Sequence, residues 1–188
     1  MTEITENTDK KNALPEAVDA FILQWGNLGG QWGVNRSIGQ IHAYLYLADG
    51  PRTAEDIAGD LEMARSNVSN SVKELLAWNL IHRVPIRHDR REHFEAETDV
   101  WEIAARIASG RKAREIDPAL AILQECVGKA ENDPTVSNAT RERLRNMMEF
   151  TASVDRWYTQ MMAVPKNKRD VLLKLGSKIA SFLPLGKD

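Results

Sequence analysis

The stretch "ARSNVSNSVKELLAWNLIHRV", Ala64 to Val84, decides how the rest of the chain reads. Val68, Val72, Leu75 and Leu76 recur at helical spacing and predict a helix from about Ala64 to Trp78 with one apolar side. The other side carries Arg65, Ser66, Ser69, Asn70 and Lys73, small polar and basic groups where solubility alone would be served by Glu and Lys. After "WNL" the pattern turns extended. "IHRVPIR" and "EHFEAET", separated by "HDR", predict a β-hairpin in which Pro85 confines the first strand to an edge.

Upstream, Thr53 with Asp56 three residues later resembles an N-terminal cap for a short helix through Ile57 and Leu61. Before it a helix of about Arg36 to Leu47 presents Ile38, Ile41 and Leu45 on one side. A further helix begins at Pro15 with Val18, Phe21, Ile22, Trp25 and Leu28, and is expected to loosen at "GNLGGQWG", where each glycine costs roughly 1 kcal/mol unless close helix contacts need it. Helix, helix, turn, helix and hairpin in this order is the winged helix-turn-helix arrangement, whose last helix enters the major groove of DNA.

Charge supports the same surface. The 188-residue chain has a formal net charge of −2, which by itself says nothing about a polyanionic partner. Between Arg65 and Arg91, however, Arg65, Lys73, Arg83, Arg87, Arg90 and Arg91 meet only Glu74 and Asp89. Arg, Ser and Asn approach base edges and phosphates without a long acidic chain repelling them. A hairpin tip with Arg87, Arg90 and Arg91 suits the adjacent minor groove, with Asp89 orienting a neighbouring arginine by a bidentate pair.

Asn35 to Ile103 resembles the GbsR-type branch of the MarR superfamily of bacterial winged-helix transcriptional regulators, most specifically in "SNVSNSVKEL", in "WNLIHRV" and in the wing "DRREHFEAE". The resemblance implies a homodimeric regulator, a repressor or an activator with repression the first expectation, on a pseudo-palindromic operator. It implies recognition-helix contacts from Arg65, Ser66, Asn67, Ser69, Asn70 and Lys73, and wing contacts from Arg87, Arg90 and Arg91. The branch usually places Ser or Thr where this chain has Ala64, so the helix is expected to lack its capping oxygen. Characterised members respond to choline or glycine betaine. A quaternary ammonium is held by ring quadrupoles, and Trp25, Trp32, Tyr44 and Trp101 are the candidate cage, with Tyr46, Trp78 and Phe94 as further aromatics.

The remainder of the chain is helical. Pro118 is expected to kink or divide a helix that starts near Asp99, "NDPT" breaks it, and a long helix from about Thr135 carries Leu144, Met147, Met148, Val154, Trp157, Tyr158, Met161 and Met162. A last helix spans about Asn167 to Phe182. The fold is therefore expected to be mainly α with a small β-hairpin wing: a mobile N-terminal arm at 1–14, a winged helix-turn-helix domain at 15–104, and long C-terminal dimerisation helices at 105–188.

Other chemistry finds little support. Cys126, beside Leu123 and Val127, is expected to be a small buried apolar residue, and one cysteine fits a cytoplasmic setting. His82, His88 and His93 share a hairpin but lack the spacing of a metal set, and no cofactor motif occurs. Glu95 and Glu97 are expected to face the same way on a solvated strand. No enzyme motif is present, and no run of apolar residues is long enough to span a membrane. The alternative to a regulator is a winged-helix module that meets an acidic protein within a larger assembly.

Overall fold

The computed structural model describes residues 14–175 and Lys178. The expected arm at 1–14 and the end of the last expected helix fall largely outside them. The chain divides after Arg106 into two compact units.

The first unit begins with α1 (Glu16–Gln31) and α2 (Arg36–Leu47), which pack on each other more extensively than any other two elements. The expected loosening comes only at the end of the glycine stretch, where the helix stops at Gln31 and Gly33 takes φ 77°, and α1 stays helical through Gly26, Gly29 and Gly30. The reason is the α1–α2 contact. A Cβ on Gly39 would stand 3.0 Å from the Gly26 Cα, and one on Gly26 would stand 2.4 Å from Gln40 Cγ, so the two backbones meet where neither can carry a side chain. Asn35 caps α2 by accepting from Ser37 N at 2.9 Å. Ile38, Ile41, Tyr44 and Leu45 of α2 then form the centre of the core with Ile22 of α1.

Next come β1 (Arg52–Thr53), α3 (Ala54–Asp60) and α4 (Arg65–Ala77). The Thr53–Asp56 cap exists in both directions: Asp56 N donates to Thr53 Oγ1 at 3.1 Å and Thr53 N to Asp56 Oδ2 at 2.8 Å. α4 buries Val68, Ser71, Val72 and Leu75, with Leu76 only half-buried at its margin. Its N-cap is Ala64, and no side chain caps it. α4 ends at Trp78 and Asn79, where Asn79 takes φ 56°, Asn79 N donates to Leu76 O and Leu80 N to Leu75 O, both at 3.0 Å.

The wing strands are β2 (Ile81–Val84) and β3 (His93–Ala96), antiparallel with Ile81 opposite Ala96 and Val84 opposite His93. β1 was not expected. Two residues are too few for a periodicity, yet Arg52 and Thr53 pair with Phe94 and His93, giving a three-stranded sheet ordered β1-β3-β2. β2 is thus an edge, and Pro85 follows immediately after it where no ladder hydrogen bond is needed.

α5 (Val100–Arg111) runs into a π-helical turn at Lys112–Ile116 and then α6 (Asp117–Asn132). The disruption expected from Pro118 therefore takes the form of a wide turn just before it, with Pro118 in the first turn of α6, where its missing N–H costs nothing. Lys112 on that turn reaches Asp117 at 2.5 Å and Asp155 at 2.7 Å, and these carboxylates push its ammonium pKa upward.

In the second unit α6 packs on α7 (Asn138–Ala163), which is capped by Ser137 accepting from Thr140 N at 3.2 Å. α8 (Lys166–Leu175) follows. Among the described residues of this unit only Val127 and Ala130 are buried among the apolar ones, and Ile122, Met147, Phe150 and Trp157 are more than half exposed. Cys126 is exposed, which corrects the expectation of a buried thiol: its neighbour Val127 takes the inward position instead.

The α1–α2 contact gives substitutions of opposite sign. Gly39→Ala is expected to cost about 1–3 kcal/mol, because its methyl meets backbone that cannot move aside. Gly30→Ala, with nothing within 4 Å of the added Cβ, is expected to be neutral or to stabilise by up to about 1 kcal/mol. Urea unfolding of the two variants checks this pair.

Candidate nucleic-acid interface

Because α4 turns Val68, Val72 and Leu75 inward, its opposite side is fixed outward: Arg65, Ser66, Ser69, Asn70 and Lys73 are all exposed. No acidic residue stands in the first turn, and with no side-chain cap at Ala64 the positive end of the helix dipole faces outward beside Arg65 and Ser66. Asn67 behaves differently. It is half-buried, and its Nδ2 donates to Ser37 Oγ at 2.8 Å, so its amide ties α4 to the start of α2.

The wing sorts its arginines. Arg91 pairs with Asp89, its Nε 3.1 Å from Oδ1 and its Nη2 2.5 Å from Oδ2, while Arg91 N donates to the same carboxylate at 2.9 Å. These bonds hold the Asp89 carboxyl far below the usual carboxylate range. Asp89 is thereby the orienting carboxylate, and Arg91 the arginine it orients. His93 packs beneath this turn, with Nε2 3.5 Å from Asp89 Oδ2 and Nδ1 3.1 Å from the Arg91 carbonyl. Arg83 pairs with Glu92 at 2.6 Å. Among the described residues, Arg87 and Arg90 meet no carboxylate and stand exposed at the tip, where His88 supplies a positive-φ turn of 66°.

Between α4 and the wing lies a groove of about 280 Å³, walled by Ser69 and Lys73 of α4, by Glu55 of α3, and by Arg83, Arg91, Glu92 and Phe94 of the wing. The groove sets Lys73 and the carboxylate-paired Arg83 and Arg91 beside Glu55 and Glu92, so the acid-free surface that suits a polyanion is the exposed face of α4 before Glu74 and not the groove floor.

The candidate aromatic cage does not assemble as expected. Trp25 and Trp32 meet edge to face, with centroids 6.4 Å apart. Tyr44 is buried and its hydroxyl donates to Asp60 Oδ2 at 2.5 Å; burial and that carboxylate push the phenol pKa upward. Tyr44, Trp32 and Trp101 do not line the hollow that the first unit does contain. That hollow, of about 240 Å³, is walled by Phe21, Trp25, His42, Tyr46, Val100 and Ile103. Phe21 stacks on Trp25 at 5.5 Å and His42 lies 6.4 Å from Tyr46, both at the i, i+4 spacing that brings side chains onto one helix face. That spacing put Phe21 and Trp25 on one helix side in the sequence, whereas His42 was not singled out there, and helical spacing alone does not distinguish an open hollow from a filled core.

Glu95 lies 3.6 Å from His82, whereas Glu97 lies beyond the end of β3 and takes up Arg106 at 3.0 Å, so the two carboxylates do not form a pair. Among the described residues, no group of three His, Cys, Asp or Glu side chains could hold a metal ion, and no helix is long and apolar enough to cross a membrane.

An outward polar and basic helix, flanked by an arginine-tipped hairpin, on a three-helix base defines a winged helix-turn-helix DNA-binding protein. Residues 32–92 match the MarR family model. The HTH-type transcriptional repressor GbsR of Bacillus subtilis (strain 168) is 24% identical over 156 residues, covering 79% of this chain and 86% of that protein. A crystal structure of a transcriptional regulator shares the fold at a TM-score of 0.60, with 18% identity over 77% of this chain and 94% of that one. Residues 32–92 thus carry the MarR family pattern, and over most of its length the chain is similar to a GbsR-type transcriptional regulator.

His42 makes the hollow sensitive to pH. It is 5% exposed, its Nε2 finds no hydrogen-bond partner among the described residues, and burial lowers its pKa from 6.5 to about 4. The unfolded chain takes up a proton here below pH 6.5 while the folded protein resists it down to about 4. Stability from this group is therefore complete above pH 6.5 and declines as pH falls through that window, by roughly 2–3 kcal/mol. Urea unfolding at pH 7 and pH 4.5 is expected to show a loss larger by that amount in the parent than in His42→Leu.

Proposed function

We propose that the protein is a homodimeric, cytoplasmic repressor that reads a pseudo-palindromic operator with α4 and the wing. The observation that carries this reading is the exposed, acid-free set Arg65, Ser66, Ser69, Asn70 and Lys73 on α4, together with Arg87 and Arg90 of the wing, which are exposed and meet no carboxylate among the described residues. Arg65, Ser66, Ser69 and Asn70 make the groove contacts, Lys73 and Arg87 the phosphate contacts, and Arg90 enters the neighbouring minor groove. Asn67 and Arg91 belong to the same surface, but their hydrogen bonds to Ser37 and Asp89 make them its supports more than its readers. Repression follows the regulator it resembles.

The dimer rests on α7. Met147, Phe150, Val154, Trp157 and Met161 alternate at three- and four-residue steps, and Met147, Phe150 and Trp157 are 57%, 67% and 60% exposed. An apolar seam of this period on a helix without one buried residue suits a matching seam on a second copy. Two-fold symmetry then presents two copies of α4 to half-sites about one helical turn apart.

The effector is a quaternary ammonium osmolyte of the choline or glycine betaine type. Phe21, Trp25 and Tyr46 supply ring faces around the hollow, and a neutral His42 adds no opposing charge. The cage thus keeps Trp25 from the expected set and replaces Trp32, Tyr44 and Trp101.

Anisotropy titration of duplex from the region upstream of its own coding sequence, against random duplex, tests the reading. Preference for the former is expected, with Arg65→Ala and Arg90→Ala each costing about 1–3 kcal/mol and choline weakening binding in the parent but not in Trp25→Ala. Equal affinity for both duplexes, unmoved by either arginine substitution, contradicts it.

A further inference from the structure

Arg106 lies on α5, outside the basic face, and its guanidinium joins three elements. Its Nε donates to Glu102 Oε1 at 3.1 Å, its Nη2 to Glu97 Oε2 at 3.0 Å, and its Nη1 to the carbonyl of Asn79. Asn79 is the left-handed residue at which α4 ends. Glu97 directly follows β3, and its Oε1 accepts from Thr98 N and Asp99 N at 3.0 Å, while Asp99 Oδ1 accepts from Glu102 N at 2.9 Å to start α5. The exit of the recognition helix, the end of the wing strand and the first turns of α5 therefore share one guanidinium, 29% exposed, with two carboxylates of similar burial.

We infer that Arg106 is a positioning residue for DNA reading, one that fixes the angle of α4 against the wing without touching DNA. The inference rests on the regulator reading above. Val68, Val72 and Leu75 hold α4 to the core by contacts without direction, which resist separation better than they resist tilting. Charge-assisted hydrogen bonds fix direction. The lever is long: the 13 residues of α4 span about 20 Å, so a tilt of about 3° at Asn79 displaces Arg65 by about 1 Å. A displacement of that size is enough to spoil bidentate contact with a base edge, while phosphate contacts, which tolerate looser geometry, persist.

The test uses the full chain carrying Arg106→Ala, Arg106→Lys or Glu97→Gln, each checked by thermal melting to be folded at the assay temperature. Affinity is measured for duplex from its own upstream region and for random duplex across a salt series. Arg106→Ala is expected to lower the ratio of the two affinities about tenfold or more, with Arg106→Lys recovering part of it. The slope of log affinity against log salt stays as in the parent, since no phosphate contact is lost. An unchanged ratio overturns the inference, and so does a slope reduced by about one, which makes Arg106 a direct phosphate contact. Should Arg106→Ala melt too low, Glu97→Gln decides in its place, because it weakens the clamp and leaves the arginine in the fold. A parent protein with no preference between the duplexes brings down the regulator reading and this inference together, whereas a preference that survives in every folded variant brings down the inference alone.

Discussion

Everything on the basic surface depends on the burial of one side of α4. Val68, Val72 and Leu75 are 0%, 5% and 1% exposed, and that degree of burial leaves the helix no rotational choice. Burying three such side chains contributes several kcal/mol, at about 1.5–3 kcal/mol each, far more than any exposed polar group could return by turning inward. The direction in which Arg65, Ser69 and Lys73 point is therefore set by residues that never meet solvent. Ser71, also buried, shows how narrow the inward strip is: a small polar residue is accepted there, next to Val72, without widening it.

Around that helix the ion pairs divide the basic residues of the wing into those engaged by carboxylates and those left exposed. Asp89 and Glu92 occupy Arg91 and Arg83, which shape the turn and the strand edge, and leave Arg87 and Arg90 at the tip. Exposed pairs such as Arg83 with Glu92 add little stability, commonly under about 1 kcal/mol, so their effect is on geometry. Lys112 with Asp117 and Asp155 acts in the same way on the π-helical turn of the second unit. In the first unit α5 contributes Val100 and Ile103 to the aromatic hollow and Arg106 to the exit of α4, so the hollow and α4 are served by one element.

Much of the fold was legible because its signals were local and periodic. The apolar stripe of α4, the Thr53–Asp56 cap and the two extended runs each announced themselves within a few residues, and each formed where the pattern placed it. What was not legible depended on partners distant in the chain. The glycines of α1 read as a weakness until Gly39 of α2 was set against Gly26. β1 has no pattern of its own and exists only because β3 offers an edge. The Asn67 amide was read as a DNA contact and Tyr44 as a ring of the cage, and each is engaged by a partner distant in the chain, Ser37 and Asp60, that composition and spacing do not reveal, whereas the pairing of Asp89 with a neighbouring arginine was legible from the wing sequence itself. Cys126 and Val127 are neighbours on α6, and which of the two turned inward was beyond a count of apolar residues.

On the proposed function, the α4 face and wing tip lie against duplex DNA. Site-specific photocrosslinking examines it most directly, with a photoreactive residue placed in turn at Ser69, at Arg90 and, as a control, at Gln160 on α7. Positions 69 and 90 are expected to crosslink to duplex with a yield that falls steeply with salt, while position 160 gives none. Crosslinks at position 160 with none at 69 or 90, on a protein that binds the same duplex, would contradict it.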